Sequence, residues 1–472
     1  MSIKNLGKES LIYGTGHVLV RFITFLLLPI YTHVFTPDEY GIVSLAYAFI
    51  GFSIMFYRYG MDTALMKYSV QFKFDSRKAY ISSIYIIQIF SSIIFSGILY
   101  FLRNYVSESI LGVNNSDWII IIAGILILDN LWNHHILIFR AENRPGPYIF
   151  FNLLNVTLTM VLNILLVVKW ELGIEGVLIS NLLVSSITFI FSLPIIIKRI
   201  DLSLIKSKVI KDVIIFGLPF LPAGIFTVVM ELSNRYILQW FEGTYSVGLF
   251  SAGYKLGIFG LIIVMGFNMG WTPYFLRRIK EEGAKKEFSY IASLFLGLLG
   301  FIIIMISIWI PEIIRLKIGS DYLIGESFWS AEKVVPIVLI GYFFFGTYVI
   351  QLPGVYAKEI TTWIPIFRGI GAISNISLNI ILIPKYGVLG SAWATAISFV
   401  IMSLSVFIKL FNIYYVKYNL KAILYPILFM SIIFYPLQSA LIRVLIGFCY
   451  WAVWYFFVIS KNEKTIIKDL LN

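Results

Sequence analysis

The sequence predicts an all-α polytopic membrane protein. About fourteen transmembrane helices form two parallel six-helix lobes around a central cavity, with two more helices at the C-terminus. Three observations predict this. Of 472 residues, 59% are hydrophobic and only 13% charged, against about 45–50% apolar and about 25% charged in soluble domains. The apolar residues gather in runs of around 20, the helix length that crosses a bilayer. Alternate loops also differ in positive charge, as in a chain threaded back and forth across a membrane. The period-two alternation of a membrane β-barrel is absent.

In order, the runs place spans at about 9–31, 40–60, 79–102, 118–139, 148–168 and 174–197. The second half gives about 212–239, 246–270, 288–310, 334–352, 361–383 and 388–409. A last pair falls at about 422–439 and 441–460, broken up by Pro426, Pro436 and Arg443. The organisation expected is a lobe over 1–200, a lobe over 201–412, and two added helices with a tail over 413–472.

One set of loops carries Lys67, Lys73, Arg77 and Lys78, then Arg140 and Arg144, then Lys198, Arg199, Lys206, Lys208 and Lys211, then Arg277 and Arg278. The opposite set is sparse, with Arg103, Lys169, Lys385 and a mixed segment at 311–333. Basic loops stay inside, so both termini are expected in the cytoplasm of a bacterial inner-membrane protein, which requires an even number of spans. Fourteen fits; twelve requires the final pair to be re-entrant. No loop is long enough to hold a soluble catalytic domain.

An internal echo supports the two lobes. Leu162-Asn163-Ile164 precedes Lys169 and Gly173-Ile174-Glu175-Gly176, while Leu378-Asn379-Ile380 precedes Lys385 and Gly387-Val388-Leu389-Gly390. A weaker pair matches Tyr40-Gly41, Ser44 and Tyr47 to Val247-Gly248, Ser251 and Tyr254. The spacing is about 210 residues in both pairs. An even number of intervening spans leaves the halves parallel, the arrangement of transporters that rock one lobe against the other.

Four basic residues interrupt the apolar runs: Arg21, Arg235, Lys255 and Arg368. A charge at bilayer depth costs roughly 2.5–3.5 kcal/mol on insertion scales, and such residues persist where they face a water- or ligand-filled cavity. Cations contributed by several helices suit a phosphate-bearing ligand. The structural alternative is internal pairing or snorkelling, with Glu231 one turn before Arg235 as its best case. Asp129, Glu231 and His134 are candidate sites for a coupling ion, a proton or sodium. For His134 and His135 the alternative is a cytoplasmic helix end, where polar residues are cheap. Arg58 and Asp62 are expected to form a local i,i+4 pair or touch headgroups. Trp118, Trp170, Trp240, Trp271, Trp309 and Trp363 fall near span ends, as interfacial anchors do.

The single cysteine, Cys449, excludes an internal disulfide, and four histidines without zinc spacing give no metal centre. No cofactor is expected. The first apolar run carries Arg21 and lacks a small-residue cleavage site, so it reads as a helix and not as a signal peptide. The net charge of +12 lies in short loops, so nucleic acid is not an expected partner; membrane lipids are.

Leu28-Pro29-Ile30-Tyr31, Phe35-Thr36-Pro37-Asp38-Glu39-Tyr40-Gly41 and Tyr59-Gly60-Met61-Asp62-Thr63-Ala64-Leu65, with the repeated Leu-Asn-Ile segment, resemble the polysaccharide-transporter branch of the multidrug/oligosaccharidyl-lipid/polysaccharide flippase superfamily. The resemblance implies a Wzx-type flippase. Such a protein moves undecaprenyl-diphosphate-linked oligosaccharide units from the inner to the outer leaflet for O-antigen, capsule or related glycans, beside other glycan-assembly proteins. It also implies a cationic lumen, for which Arg21, Arg235, Lys255 and Arg368 are the matching residues, and coupling to an ion gradient. No bond need be broken, and no nucleophile–base constellation is present. Two relatives on the same fold compete: a lipid II flippase, and a multidrug or cation antiporter that would want cavity acids. A glycan polymerase would need a large outward loop.

Overall fold

The computed structural model describes the backbone of residues 3–435, 439–461 and 463–464, and their side chains from residue 19 onward except Ala223. Its contacts divide the chain into two compact units, Met1–Ser251 and Ala252–Asn472.

The first unit opens with α1 (Ile3–Val34), α2 (Pro37–Arg58) and α3 (Met61–Gln71). The motif Thr36-Pro37-Asp38-Glu39 is a helix start. The Thr36 hydroxyl accepts from the Glu39 amide at 3.3 Å, the Thr36 amide donates to Glu39 Oε2 at 2.9 Å, and Pro37 takes the first turn. This capping box satisfies two amides that the helix itself cannot. The helix ends where Tyr59 (φ 28°) and Gly60 (φ 81°) turn left-handed. Then come α4 (Phe74–Val106), α5 (Asp117–Ala141), α6 (Pro145–Asn163) and α7 (Gly173–Ile197). The short α8 (Ser207–Gly217) leads into α9 (Phe220–Glu242) and α10 (Thr244–Leu256).

The middle of this unit is polar. Asn130 of α5 donates to Ser92 Oγ at 3.0 Å and to Gln88 Oε1, both on α4. His135 meets Ser192 Oγ of α7 at 2.7 Å and the Tyr85 hydroxyl of α4 at 2.9 Å. Lipid drives helices together only weakly by the hydrophobic effect, so packing and such bonds carry the association. His135→Ala leaves both hydroxyls buried without this partner. It is expected to cost about 1–3 kcal/mol, seen as a lower melting temperature in detergent.

Two glycines meet across the unit. A Cβ on Gly41 would lie 2.0 Å from the Thr244 carbonyl oxygen, and one on Gly248 would lie 1.9 Å from the Pro37 carbonyl oxygen. Each Cβ would also stand 3.1 Å from the other glycine's amide nitrogen. The contact is reciprocal, residue for residue, and joins the two positions of the weaker sequence echo. Thr244 Oγ1 donates to Asp38 Oδ1 at 2.7 Å beside it.

The second unit continues with α11 (Ile258–Arg278), α12 (Ala284–Ile314), a hairpin of β1 (Lys317–Ile318) and β2 (Asp321–Tyr322), and α13 (Val334–Ala357). Next comes α14 (Trp363–Phe411), two helices in series kinked at Gly387, followed by α15 (Leu420–Phe429) and α16 (Ala440–Val453). The last pair docks on α12. The Tyr450 hydroxyl donates to the Gly297 carbonyl at 2.7 Å, and the Trp454 ring lies against Gly297 where a Cβ would clash.

Among the described residues, eleven helices are long and apolar enough to cross a membrane, and Leu19–Val34 and Leu420–Phe434 are shorter apolar helices. Two expectations need correction. The span placed at about 246–270 is two helices, because the chain bends at Gly257. Gly253 and Gly257 press on Val334 and Val338 there, with no room for a Cβ. The spans placed at 361–383 and 388–409 hold as two helices that meet at Gly387, whose φ 55° and ψ −133° are not helical. Trp271 is a core residue, 3% exposed and packed among Phe267, Tyr274, Phe275 and Phe288.

The repeated Leu-Asn-Ile segment takes one form twice. Asn163 and Asn379 are both fully buried, and Gly173 (φ 57°) and Gly387 (φ 55°) both turn left-handed. Three residues on, Gly176 and Gly390 lie against the backbone of Leu166 and Leu382.

Candidate substrate and coupling sites

The four cations that interrupt apolar runs of the sequence fall two to a unit. In the first, Arg21 is half-buried on α1, and Arg235 sits on α9. Arg235 Nη1 donates to the Glu231 backbone carbonyl at 3.0 Å. Its charge also reaches the phenols of Tyr40 and Tyr236. In the second, Lys255 occupies the last turn of α10 and Arg368 the second turn of α14, where it hydrogen-bonds the Tyr348 hydroxyl. The aromatic neighbours Tyr40 and Tyr348 were not legible beforehand, since both come from other helices.

The acidic candidates have separate surroundings. Asp129 is held inside the first unit. Its Oδ1 accepts from Ser185 Oγ at 2.6 Å and from Trp132 Nε1 at 2.8 Å. Arg58 and Tyr47 lie near enough to act on it electrostatically. Glu231 is exposed. His134, 2% exposed, uses Nδ1 toward the Asn130 carbonyl at 2.8 Å, and its buried Nε2 meets no protein partner among the described residues. Both histidines are buried within the last two turns of α5. His135 has both ring nitrogens bonded and is structural.

Arg58 does not form the i,i+4 pair with Asp62. The left-handed turn at Tyr59–Gly60 ends the helix between them, and Asp62 Oδ1 accepts from the Thr63 amide at 2.8 Å. The turn exists because Gly60 abuts the Gly217 carbonyl, where a Cβ would come within 2.0 Å.

A cationic cluster went unrecognised at the end of this unit that bears the basic loops. Glu142 pairs with Arg77 at 3.1 Å, Arg199 at 3.0 Å and Arg144 at 3.7 Å. One carboxylate thus ties the ends of α4, α5 and α7. Its signal was present in the loops, as three arginines of one basic set around a single acid. Nearby, bonds from the Ser203 hydroxyl and amide hold the Asp201 carboxyl below the usual carboxylate range. Glu142→Gln leaves three guanidiniums facing one another without a counter-charge. The variant is expected to lose about 2–3 kcal/mol, measured as a fall in thermal stability that added salt partly restores.

The family described as polysaccharide biosynthesis protein matches residues 6–278. The multidrug export protein MepA of Staphylococcus aureus (strain bovine RF122 / ET3-1) is 26% identical over 222 residues. That match covers 45% of this chain and 46% of MepA, so it spans less than half of the relative's length. An uncharacterized membrane protein of Methanocaldococcus jannaschii is 22% identical over 435 residues, 84% of this chain and 83% of the relative. Among solved structures, the lipid II flippase MurJ in an inward closed conformation has a TM-score of 0.75 at 16% identity, covering 98% of this chain and 100% of that one. An inward-facing multidrug resistance MATE family transporter of the MOP superfamily has a TM-score of 0.58 at 14% identity, covering 92% and 96%. At these identities the structural likeness is one of fold. The family match over more than half of the chain and the shared helical fold agree with the residues quoted from the first span onward. The chain belongs to the polysaccharide biosynthesis protein family and carries, among its described residues, eleven helices long and apolar enough to cross a membrane.

Proposed function

We propose that the protein carries an undecaprenyl-diphosphate-linked oligosaccharide from the inner to the outer leaflet by alternating access, for O-antigen, capsule or a related surface polysaccharide. The observation that carries the reading is the occurrence of Arg21, Arg235, Lys255 and Arg368 within apolar runs of the sequence, two in each unit, Lys255 on the short α10 just before the break at Gly257. A lipid diphosphate must give up water and counterions to pass a bilayer; guanidinium and ammonium groups replace both, and its tail stays in lipid. Asp129 and His134 are the proposed coupling-ion residues, for a proton or sodium gradient, with Glu231 the third. The chain is placed in the bacterial inner membrane with fourteen crossings and both termini in the cytoplasm.

The test is reconstitution into vesicles loaded on one side with fluorescent lipid-linked oligosaccharide. The substrate is expected to become accessible on the other leaflet, chemically unaltered, faster than in empty vesicles. Movement of lipid II with no movement of the oligosaccharide lipid would sink the reading. So would uptake of a cationic drug alone, or a lengthened glycan.

A further inference from the structure

A cavity of about 840 Å³ lies wholly inside the second unit, away from Lys255 and Arg368 in its lining. Its floor is apolar, formed by Ile308, Ile337 and Leu389. Its rim carries Trp393, Phe434 and Tyr435, with Trp393 and Phe434 stacked at 6.0 Å. Phe434 and Tyr435 are exposed. Amphipathic or aromatic rings at a helix end are placed as they are at a headgroup level.

The polar end of the cavity is charged. Arg443 interrupts the last apolar helix and has a side chain only 6% exposed. It pairs with Glu312 and lies over the Trp309 ring at 5.3 Å. Glu332 is bound by Arg315 at 2.7 Å. Lys333, on the same wall, is exposed. Lys333 and Arg443 line the cavity with Glu312 and Glu332, two cations against two carboxylates; Arg315, outside the lining, neutralises Glu332 and leaves one positive charge in excess. Ser307 is the second pointer: 4% exposed, it lines the cavity, and its buried hydroxyl has no protein hydrogen-bond partner among the described residues. A buried hydroxyl facing a roomy, partly polar space is a site for a bound partner.

We infer that this cavity binds a monoanionic phospholipid of the surrounding membrane, its phosphate toward Lys333 and Arg443, its glycerol oxygens toward Ser307 and its chains on the apolar floor. The charge count separates this occupant from the transported lipid. One excess positive charge matches one phosphodiester, whereas a diphosphate brings at least one further negative charge to a site that already holds Glu312 and Glu332. The lipid is a fixed companion of this unit and does not cross the membrane.

The experiment uses the full-length protein purified from vesicles of equal phosphatidylglycerol and phosphatidylcholine, with retained lipid read by native mass spectrometry and melting followed in parallel. Phosphatidylglycerol is expected to be retained in preference and to raise the melting temperature. Lys333→Gln is expected to weaken retention about fivefold, the effect of one cation facing an anionic lipid. Ser307→Phe fills the space and is expected to abolish retention. If Ser307→Phe fails to fold, Lys333→Gln still decides. Equal retention of the two lipids, unchanged retention in Lys333→Gln, or preferential retention of a polyprenyl diphosphate added to the vesicles would each overturn the inference. None of these outcomes depends on whether the oligosaccharide is transported.

Discussion

Valine at position 41 or 248 is expected to remove most of the folded, active protein from the membrane. The added Cβ would lie 2.0 Å or 1.9 Å from a backbone carbonyl oxygen on the opposing helix. No rotamer relieves a clash with backbone, so α2 and α10 must separate at their starts. That separation breaks the Thr244–Asp38 hydrogen bond as well. Overpacking of this kind costs typically about 1–3 kcal/mol and more where backbone is struck, against a total stability of about 5–15 kcal/mol. Alanine already carries the offending atom, so Gly41→Ala and Gly248→Ala are expected to show a large part of the loss. Gly97 is the control, since a Cβ there meets nothing within 4 Å. Gly97→Ala, in the middle of α4, is expected to raise stability by about 0.5–1 kcal/mol. Monodispersity and melting of fluorescently tagged variants measure all three. A Gly41→Ala protein as stable as Gly97→Ala would refute the close contact.

Alanine at Arg21 or Lys255 is expected to abolish surface glycan while the protein remains in the membrane at normal abundance. The cost of a cation at bilayer depth, roughly 2.5–3.5 kcal/mol, disappears with the substitution, so insertion should not suffer. On the proposed reading, what is lost is the group that replaces water around a phosphate. Export should therefore fall by at least about tenfold, the consequence of losing about 1.4 kcal/mol or more of charge-assisted binding. Arg21→Lys and Lys255→Arg keep the charge and are expected to retain part of the activity. Arg235 and Arg368 also hydrogen-bond the Glu231 carbonyl and the Tyr348 hydroxyl, so their alanine variants mix a structural loss with a functional one. Normal glycan in both Arg21→Ala and Lys255→Ala would remove the cationic-lumen reading.

Much of the fold was readable along the chain because its signals are local. The apolar runs show the helices, and Thr36-Pro37-Asp38-Glu39 announces a helix start that the capping box confirms. The echo of Asn163 and Gly173 in Asn379 and Gly387 became a shared left-handed turn. The misses share a physical cause, which is that distance along the chain hides a partner. His135 looked like a candidate for chemistry until Tyr85 and Ser192, 50 and 57 residues away, took both its nitrogens. Trp271 looked like an interfacial anchor because span-end position says nothing about which face is packed. The bend at Gly257 answers to Val338, some 80 residues later. Tyr40 and Tyr348, the aromatic neighbours of Arg235 and Arg368, come from other helices and left no mark in the sequence around those residues.

The amides at the heart of the first unit also bear on how the chain assembles. A helix entering lipid one at a time has few reasons to choose its neighbour, because hydrocarbon is as apolar as leucine. Gln88 and Ser92 on α4 and Asn130 on α5 supply a reason, and these helices are consecutive in the chain. That hairpin can recognise itself as soon as its second arm is inserted. Ser185 and Ser192 on α7 then fit Asp129 and His135 together. Sliding α7 by one turn would strand both pairs in hydrocarbon. The polar groups thus act as a matching key, selecting the right neighbour and the right height before close packing of the apolar side chains is complete.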